Sequence, residues 1–412
     1  MTLGAHLMQQ AVGQRHGMVL PPQRAPLSMA DADIVHYGVP RRIDSPWESA
    51  SGGVARRERD ARLAAIGETV ERAASGLVRL PMRPRRDIPP DERIDAEDFA
   101  LFTLDQRARP GFPHGSIYDP NCPYVEAFSL VDNSAVWVPQ PFVSLQDPHR
   151  TGVPNSSGLA AGPDPHAALL RGVQELIERD ALMTTWLHGL AGRAVTPPSP
   201  LVSEVARLSG EFTVLDLTPA YSPFPVAAVM GGIPKRGVWR YSLGVACKHD
   251  WDSAVGKAYL EWNQGVLFAG VYGELADVSR IQKDTELHSF DEHAMYYTLY
   301  PELWPKLPIL QEKNAPYAPS RRTAPEDPRR ALDAVRKALL EAGIRVYYRE
   351  VSTIDAIQAG LRVVKALSPD MALIHSHDAW PFLHKVDDMV ESRYPGRGAE
   401  SQFPNLKPHP LG

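Results

Sequence analysis

Cysteine is nearly missing from this chain. Cys122 and Cys247 are the two in 412 residues, and neither has a Cys-x-x-Cys partner. That argues against a disulfide framework and against a zinc site built on cysteine, and it suits a reducing compartment. Long apolar runs are missing as well. Nothing approaches the roughly 18 consecutive apolar residues of a membrane span. The start, "MTLGAHLMQQAVGQRHG", lacks the basic-then-apolar order of a signal peptide. Nor is there an excess of positive charge. Lysine and arginine total 44 against 49 aspartates and glutamates, a net charge of −5, which disfavours a nucleic-acid-binding surface. The expectation is a cytoplasmic protein with neither membrane nor nucleic acid among its partners.

Proline, by contrast, is plentiful. The 39 prolines crowd into 21–26, 81–90, 110–123, 197–200 and 404–410, between periodic segments, where they punctuate loops and strand ends. No clear linker is visible. The expected organisation is an N-terminal arm over residues 1–44, partly ordered, and one domain over 45–412.

Helical periodicity is strongest in two places. Residues 58–77 place Leu63, Ile66, Val70, Ala74 and Leu77 on one stripe, and residues 165–188 do the same with Leu170, Val173, Ile177, Ala181 and Thr184. A shift of 107 positions superposes Leu63 on Leu170, Ile66 on Val173 and Val70 on Ile177. It also superposes "ETVER" on "ELIER", so Glu68, Glu71 and Arg72 fall on Glu175, Glu178 and Arg179. This period is not that of a tandem solenoid and points to internal pseudo-symmetry. Each helix follows a run of small residues expected to form a loop, "SASGGVA" (49–55) and "NSSGLAAG" (155–162). Asp164 can cap the second helix, with Pro165 in its first turn. Further helices are expected over 251–268, capped by Asp252 or Ser253, and over 327–343. Runs rich in β-branched and aromatic residues predict strands at 124–131, 135–139, 212–218, 224–232, 238–247 and 344–351, the first two as a hairpin. Interleaved helices and strands give a mixed α/β fold.

Residues at i and i+3 are neighbours on a helix surface, so Glu68 and Glu71 can aim at one point, as can Glu175 and Glu178. Two like-charged pairs brought together repel unless a cation lies between them. Magnesium fits, because it prefers carboxylate oxygen and completes its octahedron with substrate phosphates. Arg72 and Arg179 are placed to donate to phosphate oxygens. The bland reading is a solvated face on which Glu and Arg pair at i,i+4, worth a few tenths of a kcal/mol. On spacing alone both readings stand.

The segment "NSSGLAAGPDPHAALLRGVQELIERDALMTTWL" (155–187) resembles the signature segment of the YcaO family, ATP-dependent enzymes that activate peptide backbone amides. "SGGVARRERDARLAAIGETVERAASG" (51–76) resembles that family's earlier glycine-then-helix segment, and "LVDNSAVWVPQPFVSL", "FTVLDLTPAYSPFPVAAV", "LGVACKHDWDSAVGKAYLEWNQG" and "YYREVSTIDAIQAGLRVVKALSPD" follow in the family's order. The likeness covers about residues 45–412 and is nearest to the thiazole- and oxazole-forming maturases of ribosomally made peptides. It implies one large domain with an internal pseudo-repeat, two Glu-x-x-Glu-Arg helices packed on mixed sheets, and ATP and Mg2+ as cofactors. It implies metal ligands at Glu68, Glu71, Glu175 and Glu178. Nucleotide contacts are implied at these four and at Arg72, Arg179, Glu261 and Gln264. Departures occur at Pro163, Ala167 and Val54, where many members carry Asn, Glu and Lys.

The end, "FPNLKPHPLG" (403–412), is by composition a loose polyproline tail. Azoline-forming members of the family end in Pro-x-Pro-x-Pro, which reaches the active site. Pro408 and Pro410 match its first two prolines and, with Arg179, are the implied catalytic set; Gly412 replaces the third proline. The resemblance further implies a Cys, Ser or Thr of a precursor peptide attacking the preceding amide, whose oxygen takes the γ-phosphoryl of ATP. An E1-like leader-binding partner in trans, a homodimer and a flavin azoline dehydrogenase acting later belong to the same expectation. A non-catalytic scaffold and an enzyme forming thioamides or amidines are the alternatives. Elsewhere the bland readings are preferred. "HSHD" (375–378) lines a loop, Cys247 is a buried thiol at a strand end, and Trp186 and Trp262 are core.

Overall fold

Of the two small-residue runs expected to be loops, the first and the second half of the other are strands in the computed structural model. It describes residues 3–13, 17–25, 33–42, 45–312 and 316–412, so the expected N-terminal arm lies in part outside the described residues. "SASGGVA" ends a strand over Ser45–Ala55, and "LAAG" forms one over Leu159–Gly162. The smallness serves close packing. A Cβ added at Gly53 would collide with Ala61 O and Ala65 N of the following helix, and one at Gly158 with Ala366 O. Only glycine lets backbone approach backbone this closely.

In chain order the elements begin with α1 (Leu3–Gln10), β1 (Gln23–Arg24), β2 (Val35–Arg42), β3 (Ser45–Ala55), α2 (Glu58–Leu77), β4 (Met82–Pro84) and α3 (Leu104–Ala108). Next come β5 (Pro123–Ser129), β6 (Ala135–Pro139), β7 (Leu159–Gly162), α4 (Pro165–Leu187), β8 (Arg193–Val195), α5 (Ser199–Arg207), β9 (Glu211–Asp216), β10 (Val226–Lys235) and β11 (Val238–Cys247). The chain continues through α6 (Trp251–Leu275), α7 (Phe290–Leu299), α8 (Pro328–Glu341), β12 (Tyr347–Glu350), α9 (Ile354–Gln358), β13 (Arg362–Leu367) and α10 (Met389–Arg393). The fold is mixed α/β. The six strands expected from sequence are β5, β6, β9, β10, β11 and β12, with ends shifted by a few residues.

Two compact units divide the chain. The first comprises Met1–Arg24, Val35–Leu176 and Pro325–Met371. It contains an antiparallel sheet in the order β1-β2-β3, against which α2 packs. A larger sheet runs β4-β5-β12-β13-β7, with β6 paired to β5 in the expected hairpin. Ala61, Ala65, Ile66, Val70 and Ala74 form the buried stripe of α2. Leu77, expected in that stripe, is 64% exposed at the helix end.

The second unit comprises Ala25–Ile34, Ile177–Ala324 and Ala372–Gly412. Its antiparallel sheet runs β11-β10-β9-β8, and α6 packs on β11 and β10. Trp262 of α6 is fully buried, its indole N–H donating to Gly231 O at 3.0 Å. The cap of α6 is Asp250, not Asp252 or Ser253. Asp250 keeps the extended backbone a cap needs, and its carboxylate accepts the Ser253 N–H at 2.7 Å.

Candidate active site

On α2 the first glutamate pair is held by main-chain groups. Glu68 Oε2 accepts the Gly52 N–H at 3.2 Å, and Glu71 Oε2 accepts the Ala161 N–H at 2.9 Å. Arg72, exposed, donates to Glu68 Oε1 at 2.7 Å. This is the i,i+4 pair of the bland reading, yet its glutamate is also tied to the strand before the helix. Burial pushes the Glu71 carboxyl well above the ordinary range, and the negative charges of Glu175 and Glu68 push it further.

Helix α4 starts at Pro165, and Asp164 Oδ1 accepts the N–H groups of His166 and Ala167 at 2.9 and 3.0 Å. Most of its side chains are buried. Arg171, Glu175 and Arg179, spaced by four, are not, and form one open stripe. Glu175 Oε2 accepts the Gly158 N–H at 3.2 Å. Arg171 Nη1 donates to Ala161 O at 2.7 Å, next to the amide that serves Glu71. The loop that serves Glu175 is held by Lys365 of β13, 5% exposed, with Nζ donating to Asn155 O at 2.8 Å and Ser157 O at 2.6 Å. Burial lowers its pKa to about 8, opposed by the negative charges of Glu175 and Glu71. The first unit therefore brings together Glu68, Glu71 and Glu175, with Arg72 paired to Glu68 and Lys365 on the loop that serves Glu175. Among the described residues no three or more His, Cys, Asp or Glu side chains converge closely enough to hold a metal ion as they stand. A divalent ion nonetheless suits the cluster, because Glu71 and Glu175 crowd each other as like charges.

The remaining expected residues lie in the second unit. Glu178, one turn beyond Glu175 on α4, is 8% exposed. Asp180, fully buried, accepts from Tyr221 Oη at 2.8 Å, Ala372 N at 2.7 Å and Arg393 Nε at 3.0 Å, which fixes α4 beside Arg179. Glu261 on α6 pairs with Lys257 at 3.1 Å, and Gln264 is half-buried one turn on.

The proline tail is packed, not frayed. Trp186 Nε1 donates to Lys407 O at 2.8 Å, and Tyr297 Oη to Pro408 O at 2.6 Å. Pro410 is buried. Between the prolines, His409 is fully buried, stacked on His293 with centroids 4.1 Å apart and bonded through Nε2 to His375 O at 2.7 Å. Burial drives all three rings towards the neutral form, His293 to about 4, His375 to about 3 and His409 well below its usual value. The charge of Arg179 adds to the effect on His409, which places the tail near that arginine. His375 of "HSHD" thus packs against the tail. Cys247 ends β11 as a buried thiol whose pKa burial raises.

Lys365 and His409 escaped the reading of motifs. The signal for the lysine was available: it stands inside the apolar run "RVVKAL", where a strand buried on both faces has no place for an uncompensated charge. His409 had no such signal, because its partners come from α7 and the 375 loop.

Residues 52–372 match a family model described as YcaO cyclodehydratase, ATP- and Mg2+-binding. The chain belongs to the YcaO family. ATP and Mg2+ are the family's described ligands, in keeping with the cofactors inferred from the paired glutamates. No curated protein matches the chain. Among solved structures, a heterocyclase in complex with substrate and cofactor shares the YcaO fold with a TM-score of 0.76 at 19% identity, covering 100% of this chain and 57% of that one. The chain thus spans little more than half of that heterocyclase. The YcaO protein of Methanopyrus kandleri, bound with AMPPCP and Mg2+, is similar with a TM-score of 0.64 at 16% identity, covering 89% of this chain and 88% of that one. A chain of the E. coli microcin synthetase McbBCD complex is similar with a TM-score of 0.65 at 15% identity, covering 96% and 99%. No helix among the described residues is long and apolar enough to cross a membrane.

Proposed function

We propose that the protein is an ATP-dependent cyclodehydratase that converts Cys, Ser or Thr of a ribosomally made precursor peptide into azolines, by phosphorylation of the backbone amide oxygen. The observation that carries this is the matched pair of glutamates, Glu68 and Glu175, each held by a glycine N–H beside the crowded carboxyl of Glu71. Bound Mg–ATP supplies the phosphoryl group and the cation that neutralises it. Glu68, Glu71, Glu175 and Glu178 would hold the metal, and Arg72 and Arg179 the phosphate oxygens. Glu261 and Gln264 would lie along the nucleotide. Lys257, beside Glu261, keeps that carboxylate from adding uncompensated charge. Pro408 and Pro410 would position the peptide, the tail being fixed through Tyr297 and the histidines. The nucleophile belongs to the substrate, so what the protein contributes is alignment and charge.

By the same reading the domain over 45–412 works in the cytoplasm as a homodimer, with an E1-like leader-binding partner and with a flavin dehydrogenase acting later. The McbBCD complex with pro-MccB17 bound, 16% identical, shows such a fold beside partner chains and a peptide. The test is to incubate the protein with ATP, Mg2+, partner and precursor. Loss of one water per ring supports the proposal, and a gain in mass from sulfur replacing oxygen indicates thioamide formation. A scaffold role has one observation in its favour: Val54, where many relatives carry lysine, is buried in β3. Peptide binding without ATP hydrolysis would establish that role instead.

A further inference from the structure

Lys365 holds the loop that serves Glu175 yet has no part in the chemistry proposed above. Its ammonium is buried, and a buried cation needs oxygen partners or opposite charge in place of water. The Asn155 and Ser157 carbonyls take two of its three N–H groups, and the charges of Glu175 and Glu71 favour its protonated form. The next residue along β13 grips the same loop, with Ala366 N–H donating to Gly158 O at 2.8 Å. Gly158, at φ +77°, then turns its own N–H to Glu175. The strand thus holds the loop, and the loop holds the glutamate.

We propose that Lys365 is a resident cation of the site. As a positioning residue it fixes the 155–158 loop on β13, and its charge beside Glu71 and Glu175 limits how tightly these carboxylates draw a divalent ion. This rests on the metal reading of the site given above. Without the lysine, the carboxylates lose their built-in counter-charge while the loop loses its anchor. Metal affinity then rises as turnover falls. A lysine with a structural role alone would move both in the same direction.

The test is Mn2+ binding to the full chain without nucleotide, followed by electron paramagnetic resonance. Lys365→Met and Lys365→Arg are compared with wild type after near-ultraviolet circular dichroism has shown each to be folded. Lys365→Met should bind Mn2+ about tenfold more tightly or better, the scale of removing one nearby charge, and lose ATP turnover. Lys365→Arg, which keeps the charge, should stay within about threefold of wild type in Mn2+ affinity. A folded Lys365→Met with unchanged or weaker Mn2+ affinity overturns the inference, and Lys365→Gln carries the same expectation if the methionine variant does not fold. If wild type itself binds no Mn2+, the metal reading of the site fails and the lysine's role with it. Binding by wild type without a change in the variant sinks the lysine's role alone.

Discussion

Glu175 stands 107 positions after Glu68, and both accept the N–H of a glycine at 3.2 Å, from Gly158 and Gly52 respectively. The pseudo-repeat is therefore more than a likeness of apolar stripes, since each glutamate takes a glycine amide from the chain ahead of its helix, although the two glycines stand 106 positions apart, one short of the repeat. It also explains why Glu71 is crowded. The two copies direct negative charge at one place in the first unit.

Removal of either second-helix carboxylate tests that arrangement. Glu175→Ala or Glu178→Ala should lower ATP-linked turnover at least about 100-fold, the scale on which single charge-stabilising groups count in catalysis. Circular dichroism and solubility should be unchanged. Wild-type turnover in a folded variant would end the assignment.

Deletion of Pro408–Gly412 should slow ring formation about 100-fold, the cost of losing alignment, and leave the KM for ATP nearly unchanged. The tail makes its contacts through Tyr297 and the two buried histidines, His293 and His375. Equal ring formation with and without these residues, measured by mass spectrometry, would reduce the tail to packing.

Acid should loosen the tail. Burial holds His293, His375 and His409 below the ordinary histidine value of 6.5. As pH falls, the unfolded chain takes up protons before the folded one does. The stability associated with these neutral rings is complete above about 6.5 and drains away as pH falls towards about 4. His375 meets the His409 ring edge-on with centroids 5.3 Å apart, while Asp378 approaches His293 Nε2 at 3.4 Å and Arg179 adds positive charge. Urea midpoints between pH 7.5 and 5 should fall more steeply for wild type than for His409→Phe. Parallel slopes would contradict this.

Asp180→Asn should cost about 3–5 kcal/mol, because it strips the buried Arg393 of its counter-charge. The pair is 3.0 Å apart, with side chains 6% and 0% exposed. Chemical denaturation measures the loss. A shift under about 1 kcal/mol would mean that Tyr221 and the Ala372 amide alone hold α4 in place.

The sequence made the helices legible because their periodicity is long and their glutamates repeat in register. Strands β10 and β11 were equally plain from their β-branched runs. The misread elements were β3 and β7. Glycine, alanine and serine have low strand propensity, and here the need for close helix–strand packing overrode it. The clustered carboxylates were found where they share a helix, as Glu68 with Glu71. Lys365 was legible as a charge inside an apolar run, but its partners, Asn155 and Ser157, were not, because they lie some 200 positions away. His409 was missed for the same reason.

The groups that fasten Glu68, Glu71 and Glu175 are main-chain amides, those of Gly52, Ala161 and Gly158. A peptide N–H is common to every residue but proline, so the bond from Ala161 does not depend on its side chain, whereas the φ of +77° and the close approach of Ala366 O keep position 158 to glycine. An amide-to-ester exchange by chemical ligation would unfasten them without altering any side chain. A site anchored in this way depends on the course of its main chain as much as on the identity of the side chains around it.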